Sequence, residues 1–540
     1  MADVSNWVFG DESEFLVGPI VGRVTETSAR ILIESAKDCT AEFTVVSVKS
    51  EASVEGETQG DECEKRNPST VKFDLTAQAP KAVEISDLTP GHRVEVSIRL
   101  GSQTRVASFN TPSPNAKSRK VGLVSCNKIS TMVEIAMWEK MAENAAKYDV
   151  VLHMGDQIYG DDDFKTDGKS EEEISAMGDP ADSAWGRCQI LLTAEGAGHD
   201  FEPHRAQCIQ YYADVYRTTW NHPPCASALA GVSNLMMLDD HEITDDAGDV
   251  PEHCDRSTWQ YFVIGCAYQA YNIYQGQLNY SMEDPFDFEQ KAYWYSEIFP
   301  GVGLFMLDVR LERCLLRHQI ENMDWENHNY LGPRQFDEFK SVLEGSFKDI
   351  KTLIMVSPTP PIFLSSAAAS LIELKSDDVV GSWSYKTFKK EHKELLQTLT
   401  DWQNGRSDRA VIMASGDIHI GGFSDVQLDS GGPLINQVIS SAIGNLPEAS
   451  VKALKAIGNT ALAVAGVHLT MRINHSAWVF DPNYAVLTIE PPSMDSLDKE
   501  RPSIKGEIIT KEYITTHDMK YTIPGGVCGE AMHGCQCTTS

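Results

Sequence analysis

The chain has 540 residues, more than one ordinary hydrophobic core supports, so we expect two domains or one large domain with an added module. Its composition, 42% hydrophobic and 23% charged, is that of a globular protein. Acidic residues outnumber basic ones by 78 to 46, which gives a net charge of -32. This excess argues against general nucleic-acid binding, and an anionic substrate would need local positive charge from metal or arginine.

The first residues, MADVSNWVFGDESEF, have neither the basic nor the apolar segment of a secretory signal. No long apolar run suits a membrane span, so we expect a cytoplasmic protein without a transmembrane segment. The 12 cysteines are scattered along the chain. Cys528, Cys535 and Cys537 cluster with His533 near the end, but their spacing matches no standard zinc site, and a solvent-facing tail is favoured over a metal or redox site.

Residues 1–112 are predicted to form an antiparallel β-sandwich. In RVEVSIRL the apolar residues Val94, Val96, Ile98 and Leu100 alternate with polar ones, as in a strand with one buried face. VKFDL repeats this pattern, and LTPGH supplies a turn. Several short strands within about 100 residues are typical of a small sandwich. The segment TPSPNAKSRK is the predicted linker to a second domain, 113–540.

After the linker the pattern becomes that of an α/β domain. KVGLVSCN and YDVVLHM are continuous apolar runs, as expected of strands buried on both faces. TMVEIAMWEKMAENAAK lies between them with helical spacing, and Thr131 and Glu134 form a plausible capping box. Strand, helix and strand make a βαβ unit. Four further apolar strands follow, in VSNLMML, GVGLFML, KTLIMV and RAVIMAS.

Polar motifs follow these strands at their carboxyl ends. SCN, GDQIY, LDDHE and GDIH supply the candidate functional residues Cys126, Asn127, Asp156, Tyr159, Asp239, Asp240, His241, Glu242, Asp417 and His419. A glycine before Asp156 and another before Asp417 permit a sharp turn out of each strand. Because ligands of α/β sheets bind beyond the carboxyl ends of strands, we expect the motifs to converge on one site.

Each motif taken alone has a simpler explanation. Cys126 is then a small buried hydrophobic residue, Tyr159 a packing residue, and the aspartates cap the helices that follow them. Four such motifs at four strand ends favour a shared metal site. Carboxylates suit calcium, magnesium or manganese, whereas tyrosinate and thiolate suit ferric iron. We therefore expect two or more metal ions, which serve phosphoryl hydrolysis by neutralising the ester and lowering the pKa of a bridging water.

The ordered set SCN, GDQIY, LDDHEITDD, LDVR and GDIH resembles the PhoD-like alkaline phosphatases and phosphodiesterases, within the calcineurin-like metallophosphoesterases. The resemblance spans nearly the whole chain and includes the N-terminal β-sandwich, which is fibronectin III-like in this family. It implies a metal-dependent phosphoester hydrolase with a four-layer α-β-β-α core.

The resemblance also implies roles for individual residues. Asp156 is then the bridging carboxylate, Cys126 and Tyr159 bind iron, and Asp240 takes the place usually held by asparagine in the superfamily. The full set of implied metal ligands is Cys126, Asp156, Tyr159, Asp240, Asp417 and His419. The implied metals are Fe3+ and Ca2+, with Mn2+ or Zn2+ as alternatives.

The sequence departs from the superfamily pattern in two places. The separate fourth-motif histidine has no convincing counterpart at the end of LIMVS, where Ser357, Pro358 and Thr359 stand. The long stretch 164–208 matches no part of the pattern. Because loops of this kind set substrate size, the choice between monoesters and diesters stays open.

The sequence therefore predicts a hydrolase that acts on a small-molecule phosphate ester or a phospholipid headgroup. A phospholipase D-like diesterase and a non-catalytic metal- or phosphate-binding homologue are the alternatives. His241 is expected beside the substrate, where it would contact a phosphoryl oxygen or protonate the leaving alkoxide. Arg310 in LDVR is expected either to bind the phosphoryl group through two hydrogen bonds or to pair with Asp308 or another carboxylate and brace the rim.

Overall fold

The protein is a mixed α/β structure with several sheets, as predicted. The computed structural model describes residues 14–49, 68–128, 135–162, 183–194, 200–281, 287–313, 329–363, 381–383, 385–428, 433–446, 471–491, 501–521 and 536–539.

The strands are β1 (Phe15–Val24), β2 (Ala29–Ser35), β3 (Cys39–Lys49), β4 (Ser69–Leu75), β5 (Lys81–Ile85), β6 (His92–Leu100), β7 (Gln103–Asn110), β8 (Arg119–Val124), β9 (Val150–Met154), β10 (Asn234–Met237), β11 (Tyr295–Phe299), β12 (Val302–Met306), β13 (Thr352–Ser357), β14 (Ala410–Ser415), β15 (Gly421–Leu428), β16 (Ile435–Ile439), β17 (Met471–Val479), β18 (Tyr484–Glu490), β19 (Ser503–Ile509), β20 (Tyr513–Asp518) and β21 (Gln536–Thr539).

The helices are α1 (Ile135–Asn144), α2 (Ala184–Thr193), α3 (Arg205–Trp220), α4 (Pro223–Gly231), α5 (Pro251–Cys254), α6 (Trp259–Tyr271), α7 (Gln277–Asn279), α8 (Gly332–Glu344) and α9 (Lys389–Asn404). Short 3-10 helices lie at Ala145–Lys147, Glu202–His204 and Lys386–Phe388, and a π-helical turn at Asn272–Gly276 joins α6 to α7.

Strands β1 to β7 form two antiparallel sheets, with the orders β1-β2-β5 and β4-β3-β6-β7. The alternation predicted for β6 is confirmed, since Val94, Val96 and Ile98 are fully buried. In β4 the alternation fails at Val71, which is 40% exposed because β4 is the edge strand of its sheet. Apolar side chains from both sheets, such as Ile31, meet in one buried cluster.

The following part contains two seven-stranded sheets, with the orders β10-β9-β8-β18-β19-β20-β21 and β11-β12-β13-β14-β16-β15-β17. Strands β8, β9 and β10 are parallel in the first of these sheets. Strands β12, β13, β14 and β16 are parallel in the second. Each predicted apolar run is one of these parallel strands, and β8-α1-β9 is the predicted βαβ unit.

Both seven-stranded sheets contribute to one large apolar cluster, which contains Leu152 of β9 and Ile354 of β13 and is joined by α8 and α9. The alternate residues of the first sheet, such as Val151 and Met236, belong to a second cluster with α1 to α4 and α6. The first sheet is therefore apolar on both faces, which explains its continuous apolar strands.

Helix α1 buries the predicted face, including Trp138, Met141 and Ala142, and Ala145 of the 3-10 helix that follows is buried as well. The Trp138 Nε1–H donates to Asn127 Oδ1 at 2.8 Å, which ties this helix to the SCN motif. The proposed capping box of Thr131 and Glu134 lies outside the described residues.

Parts of the unplaced stretch 164–208 are ordered into helices: α2 covers 184–193, and α3 begins at Arg205. Residues 163–182 and 195–199 lie outside the described part of the chain, as do Cys528, Cys535 and His533. Among the described residues, no helix is both long enough and apolar enough to cross a membrane.

Candidate metal centre

The predicted motifs meet where the parallel strands of both large sheets end. The Asn127 N–H donates to the Asp156 carbonyl oxygen at 2.8 Å, and the Gly160 N–H donates to the His241 carbonyl oxygen at 2.8 Å. Across the two sheets, Cys126 Sγ lies 3.7 Å from the Asp417 carbonyl oxygen. The structure thus brings SCN, GDQIY, LDDHE and GDIH to one place.

Four of the predicted ligands have left-handed backbone conformations. The φ angles are 56° at Cys126, 56° at Asp156, 68° at Asp417 and 53° at His419. Such a conformation costs a non-glycine residue of order 1–3 kcal/mol, and it persists where the surrounding fold imposes it. The left-handed conformation recurs at the place where the four motifs meet, which indicates that the fold orients these side chains toward one site.

Two glycines allow this convergence, each for its own reason. Gly155 has a φ of 92°, and a Cβ there would lie 2.4 Å from the Cβ of Asp239. At Gly416, a Cβ would lie 2.4 Å from the Ser125 Oγ. The predicted turn therefore requires glycine at 155, whereas glycine at 416 is required for the close approach of the two sheets.

Cys126, Asp156 and Tyr159 form the buried floor of the site, with exposures of 0%, 1% and 4%. The Cys126 thiol donates to Asp156 Oδ2 at 3.4 Å, and the Tyr159 hydroxyl accepts from Asn445 Nδ2 at 3.3 Å. Burial raises the pKa of each of these three acids well above its usual value. A cation at the floor would favour their ionised forms instead.

His241 stands above this floor with its side chain 19% exposed. Its ring stacks on that of Tyr159 at a centroid distance of 4.1 Å. Its Nδ1 lies 3.0 Å from Asp161 Oδ1, which fixes the ring and leaves Nε2 for other partners. Burial lowers the pKa of His241, but Asp161 and Asp240 outweigh it, and the pKa is raised well above its usual value.

Arg310 pairs with the two aspartates of LDDHE. Its Nε donates to Asp239, its Nη2 lies 3.2 Å from Asp240 Oδ1, and its side chain is only 4% exposed. Burial raises the pKa of Asp239 to about 6, against the effect of Arg310. For Asp240 burial acts in the same direction, but Arg310 and His241 outweigh it and lower the pKa to about 2.

The pairing of Arg310 corresponds to the bracing alternative left open by the sequence, with carboxylates other than Asp308 as the partners of the guanidinium. Its guanidinium contacts Asp239 and Asp240, whereas the Asp308 carboxylate accepts the backbone N–H groups of Arg310, at 2.9 Å, and Leu311, at 3.3 Å. A role for Arg310 in phosphoryl binding stays a prediction.

Glu242 braces the loops from within. Its Oε2 accepts the Asp156 N–H at 2.9 Å and the Asp239 N–H at 2.7 Å. Its Oε1 accepts the Gln157 N–H at 2.7 Å and Gln275 Nε2 at 2.9 Å. One buried carboxylate therefore ties the ends of β9 and β10 together, and the π-helical turn after α6 supplies Gln275 for this purpose.

The donor groups of the site fit a metal ion. The ligand atoms of Asp156, Asp240 and His241 lie within 4.8 Å of one another, as do those of Asp239, Asp240 and Asp417. Asp156 Oδ1 and Asp239 Oδ2 are buried and have no hydrogen-bond partner within the described structure. An unpartnered buried carboxylate oxygen is costly, and a cation at this position would satisfy it.

A family model described as PhoD-like phosphatase matches residues 121–453. The chain belongs to the PhoD-like phosphatase family. It is also similar to a solved structure titled "Structure of PhoD", at 14% sequence identity with a TM-score of 0.63, over 96% of this chain and 95% of that chain. At this identity the likeness shows a common fold.

Two other solved structures match with TM-scores too low to bear on the fold. The sensor domain of the anti-sigma factor RsgI4 from Pseudobacteroides cellulosolvens is 17% identical, with a TM-score of 0.12, over 19% of this chain and 99% of that chain. A cycloisomaltooligosaccharide glucanotransferase from Paenibacillus is 10% identical, with a TM-score of 0.18, over 88% and 69%. No curated protein matches the chain.

In this PhoD-like chain, the end of β13 and the loop after it carry Ser357, Pro358 and Thr359 and no histidine. Ser357 is fully buried, donates to the Thr359 carbonyl oxygen at 2.7 Å and accepts from Trp383 Nε1 at 3.1 Å. Both bonds are made within the protein, so this serine stabilises the loop.

The PhoD-like site also contains residues that the sequence reasoning did not select. Asp161 adjoins the GDQIY motif, and its place in the acidic run GDDD was a visible signal. Ser441 and Asn445 contact predicted ligands from a segment that follows β16. That segment carries no charged residue and no recognisable motif, so no feature of the sequence pointed to it.

Proposed function

We propose that the chain is a metal-dependent hydrolase of phosphate esters. The observation that carries this proposal is the convergence of carboxylates at the strand ends, where buried oxygens of Asp156 and Asp239 lack partners in the described structure. Membership of a phosphatase family supports the same reaction class.

In this proposal Asp156 is the carboxylate shared between metal ions. Cys126 and Tyr159 lie beside it on the floor and suit ferric iron, with His419 as a further ligand. Asp240 and Asp417 offer oxygen ligands, which suit calcium. Mn2+ or Zn2+ are the alternatives. When bound, the metal ions neutralise the phosphoryl oxygens and provide an activated water.

His241 is proposed as the general acid. Asp161 and Asp240 raise its pKa, which favours the protonated imidazole, and its partial exposure lets Nε2 reach a bound ester. Asp161 accepts from Nδ1 and therefore directs the Nε2–H outward. A proton delivered from Nε2 to the leaving alkoxide would complete ester cleavage.

Arg310 is proposed to combine two tasks. By pairing with Asp239 and Asp240, it holds these carboxylates in place and offsets their mutual repulsion. It also lines a cavity of about 270 Å³, which would give its guanidinium access to a phosphoryl oxygen.

The same cavity is proposed to hold the alcohol part of the ester. Ile243, Tyr268 and Phe288 supply apolar walls, and Glu312 adds a polar group. Its volume suits a small organic group, such as that of a small-molecule ester or a phospholipid headgroup. A phospholipase D-like diesterase is therefore kept as a subtype within the proposal.

We further infer that the two large sheets and their helices form the four-layer α-β-β-α core of the family, preceded by a β-sandwich domain ending near residue 112. Three apolar clusters support this arrangement: one contains residues of both large sheets, one joins the first large sheet to its helices, and one lies within the N-terminal sheets. The cytoplasmic location predicted from the sequence stays a prediction. Cys254 is disulfide-bonded, which weighs against a reducing compartment.

Exhaustive chelation followed by assay on a nitrophenyl phosphate ester tests the proposal. We expect turnover to fall to background and to return when Fe3+ and Ca2+, or Mn2+, are added back. Asp417→Asn should resist this rescue, whereas the matched change Asp401→Asn, on α9, should not affect it. Undiminished turnover in metal-free protein would overturn the metal requirement. A metal-loaded wild type without activity on monoesters and diesters would favour the non-catalytic homologue.

A further inference from the structure

Residues 441–445, which follow β16 and are called the 441–445 segment here, contact three of the predicted metal ligands. The segment leaves the second large sheet and bonds to the first. The Ile443 N–H donates to the Ser125 carbonyl oxygen at 3.0 Å, and the Gly444 N–H donates to the Cys126 carbonyl oxygen at 3.2 Å. It is therefore fastened to the end of β8, beside the floor of the site.

Ser441 lies between two of these ligands and is fully buried. Its Oγ accepts the His419 backbone N–H at 3.0 Å and lies 3.0 Å from Cys126 Sγ. With Cys126 as the thiolate that a metal ion would bind, the sulfur can only accept, so the Ser441 hydroxyl would be the donor toward it. One hydroxyl thus fixes the GDIH loop relative to the Cys126 sulfur.

The position of Ser441 is itself imposed. Asn483, which is fully buried, donates from Nδ2 to the Ser441 carbonyl oxygen at 2.7 Å. The Asn483 N–H donates to the Ala442 carbonyl oxygen at 2.8 Å. The hydroxyl of Ser441 is therefore held in place by the turn that precedes β18.

Asn445 contacts Tyr159 and, like Ser441, His419. Its Nδ2 lies 3.3 Å from the Tyr159 hydroxyl oxygen and 3.2 Å from His419 Nε2. Its Oδ1 accepts the Leu446 N–H at 2.8 Å, which fixes the orientation of the amide and makes Nδ2 the donor toward the Tyr159 hydroxyl oxygen. Asn445 is only 8% exposed, so water competes little for these bonds.

From these contacts we infer that Ser441 and Asn445 are positioning residues, which hold Cys126, Tyr159 and His419 in the arrangement that binds metal. This inference rests on the proposed metal-dependent function and adds a determinant of metal affinity to it. Hydrogen-bond partners of metal ligands orient those ligands, and their removal typically costs about 10–100-fold in metal affinity.

The test uses Co2+ as the probe, since a cobalt–thiolate bond gives a charge-transfer absorption band that reports directly on Cys126. Purified full-length protein is stripped of metal and titrated with Co2+ as wild type, Ser441→Ala and Asn445→Leu. The controls are Ser424→Ala, which removes another buried hydroxyl, and Asn436→Leu, which replaces another buried asparagine on β16. Thermal unfolding of each metal-free protein is measured alongside.

We expect Ser441→Ala and Asn445→Leu to bind Co2+ about 10–100-fold more weakly than wild type. Ser441→Ala should also shift the thiolate band, which a general loss of stability would not do. The controls should bind Co2+ as wild type does. If one variant fails to fold, the other carries the test.

Two results would overturn the inference. The first is that both variants fold, bind Co2+ as tightly as wild type and show an unchanged thiolate band. If wild type also binds Co2+ and hydrolyses esters, the proposed function then stands, but Ser441 and Asn445 are not positioning residues. The second is a wild-type protein that neither binds Co2+ nor hydrolyses any ester, in which case the proposed function fails as well.

Discussion

The candidate metal centre has two halves that the chain holds in different ways. In the neutral half, defined as Cys126, Tyr159 and His419, the side chains are held by uncharged donors and acceptors from the 441–445 segment. In the charged half, defined as Asp239, Asp240 and Arg310, they are held by buried ion pairs. Asp156 lies between the halves, with one oxygen facing the Cys126 thiol.

This difference determines in which half the acidic side chains need a bound metal ion in order to ionise. The charged half already contains a guanidinium, so Asp240 keeps a lowered pKa without any metal. In the neutral half the Lys128 Nζ lies over the Tyr159 ring, 5.3 Å from its centroid, but burial is the larger effect and favours the protonated thiol of Cys126 and the protonated phenol of Tyr159. Metal binding to the neutral half must therefore displace protons, whereas the charged half is ionised in advance.

The largest expected effect concerns His241, which contacts both halves by stacking on Tyr159 and facing Asp240. As a general acid it would contribute about 10²–10⁴-fold to the rate. His241→Ala should lower turnover by that factor and leave metal content and folding unchanged. His92→Ala, in the N-terminal sheets, should have no effect.

Metal analysis of the His241→Ala protein decides between two roles. Retained metal with low turnover supports the general acid. Loss of metal would instead make His241 a ligand, which its distance of at most 4.8 Å from the ligand atoms of Asp156 and Asp240 also permits.

The second prediction is that metal affinity of the neutral half depends steeply on pH. Cys126 and Tyr159 in this half, and Asp156 beside them, have raised pKa values, so their protonated forms are favoured and compete with metal as the pH falls. Affinity should drop about tenfold per pH unit for each proton displaced. Titration with Co2+ between pH 8 and pH 6, together with proton release measured in weakly buffered solution, checks this. Binding without proton release would contradict it.

The third prediction concerns colour and isolates the neutral half. If Tyr159 binds ferric iron, the loaded protein should absorb visible light through charge transfer from the phenolate, with a contribution from Cys126. Tyr159→Phe should bleach or shift the band and weaken iron retention. Tyr148→Phe, a buried tyrosine bonded to Tyr484, is the matched control. A colourless, fully active protein holding only calcium or zinc would exclude the iron assignment.

The sequence predicted the ligand candidates of both halves, but not the two sheets that bring them together. The ligand candidates could be found because each follows an apolar strand directly, and carboxyl ends of parallel strands share one edge of a sheet. The sequence could not predict which strands belong to which of the two sheets. A continuous apolar run indicates that a strand is buried on both faces, but it does not indicate which strand lies next to it. The close approach of Gly416 to Ser125 joins the two sheets, and it depends on how the sheets pack and not on the local sequence.

The supporting groups show the same limit. Glu242 was visible in DDHE, but its bonds to the backbone of Asp156 and Asp239 depend on the sharp turn at Gly155. Ser441 and Asn445 are ordinary polar residues in SSAIGN, and only the fold brings them to the ligands. A residue that acts by positioning another needs no particular motif, since a single hydroxyl or amide in the right place is enough.

The smallest expected effect is in the charged half, at Arg310. Lysine preserves the positive charge. Its single ammonium cannot contact both Asp239 and Asp240 and at the same time make two hydrogen bonds to a phosphoryl group. Arg310→Lys should weaken competitive inhibition by inorganic phosphate by roughly tenfold, the loss of about one charge-assisted hydrogen bond. Thermal stability should change little, because an ammonium still offsets the buried carboxylates. Arg406→Lys, which alters a more exposed pair with Asp408, is the control. A lower melting temperature with unaltered phosphate inhibition would show that Arg310 only braces the aspartates, and the charged half would then act on substrate through its carboxylates alone.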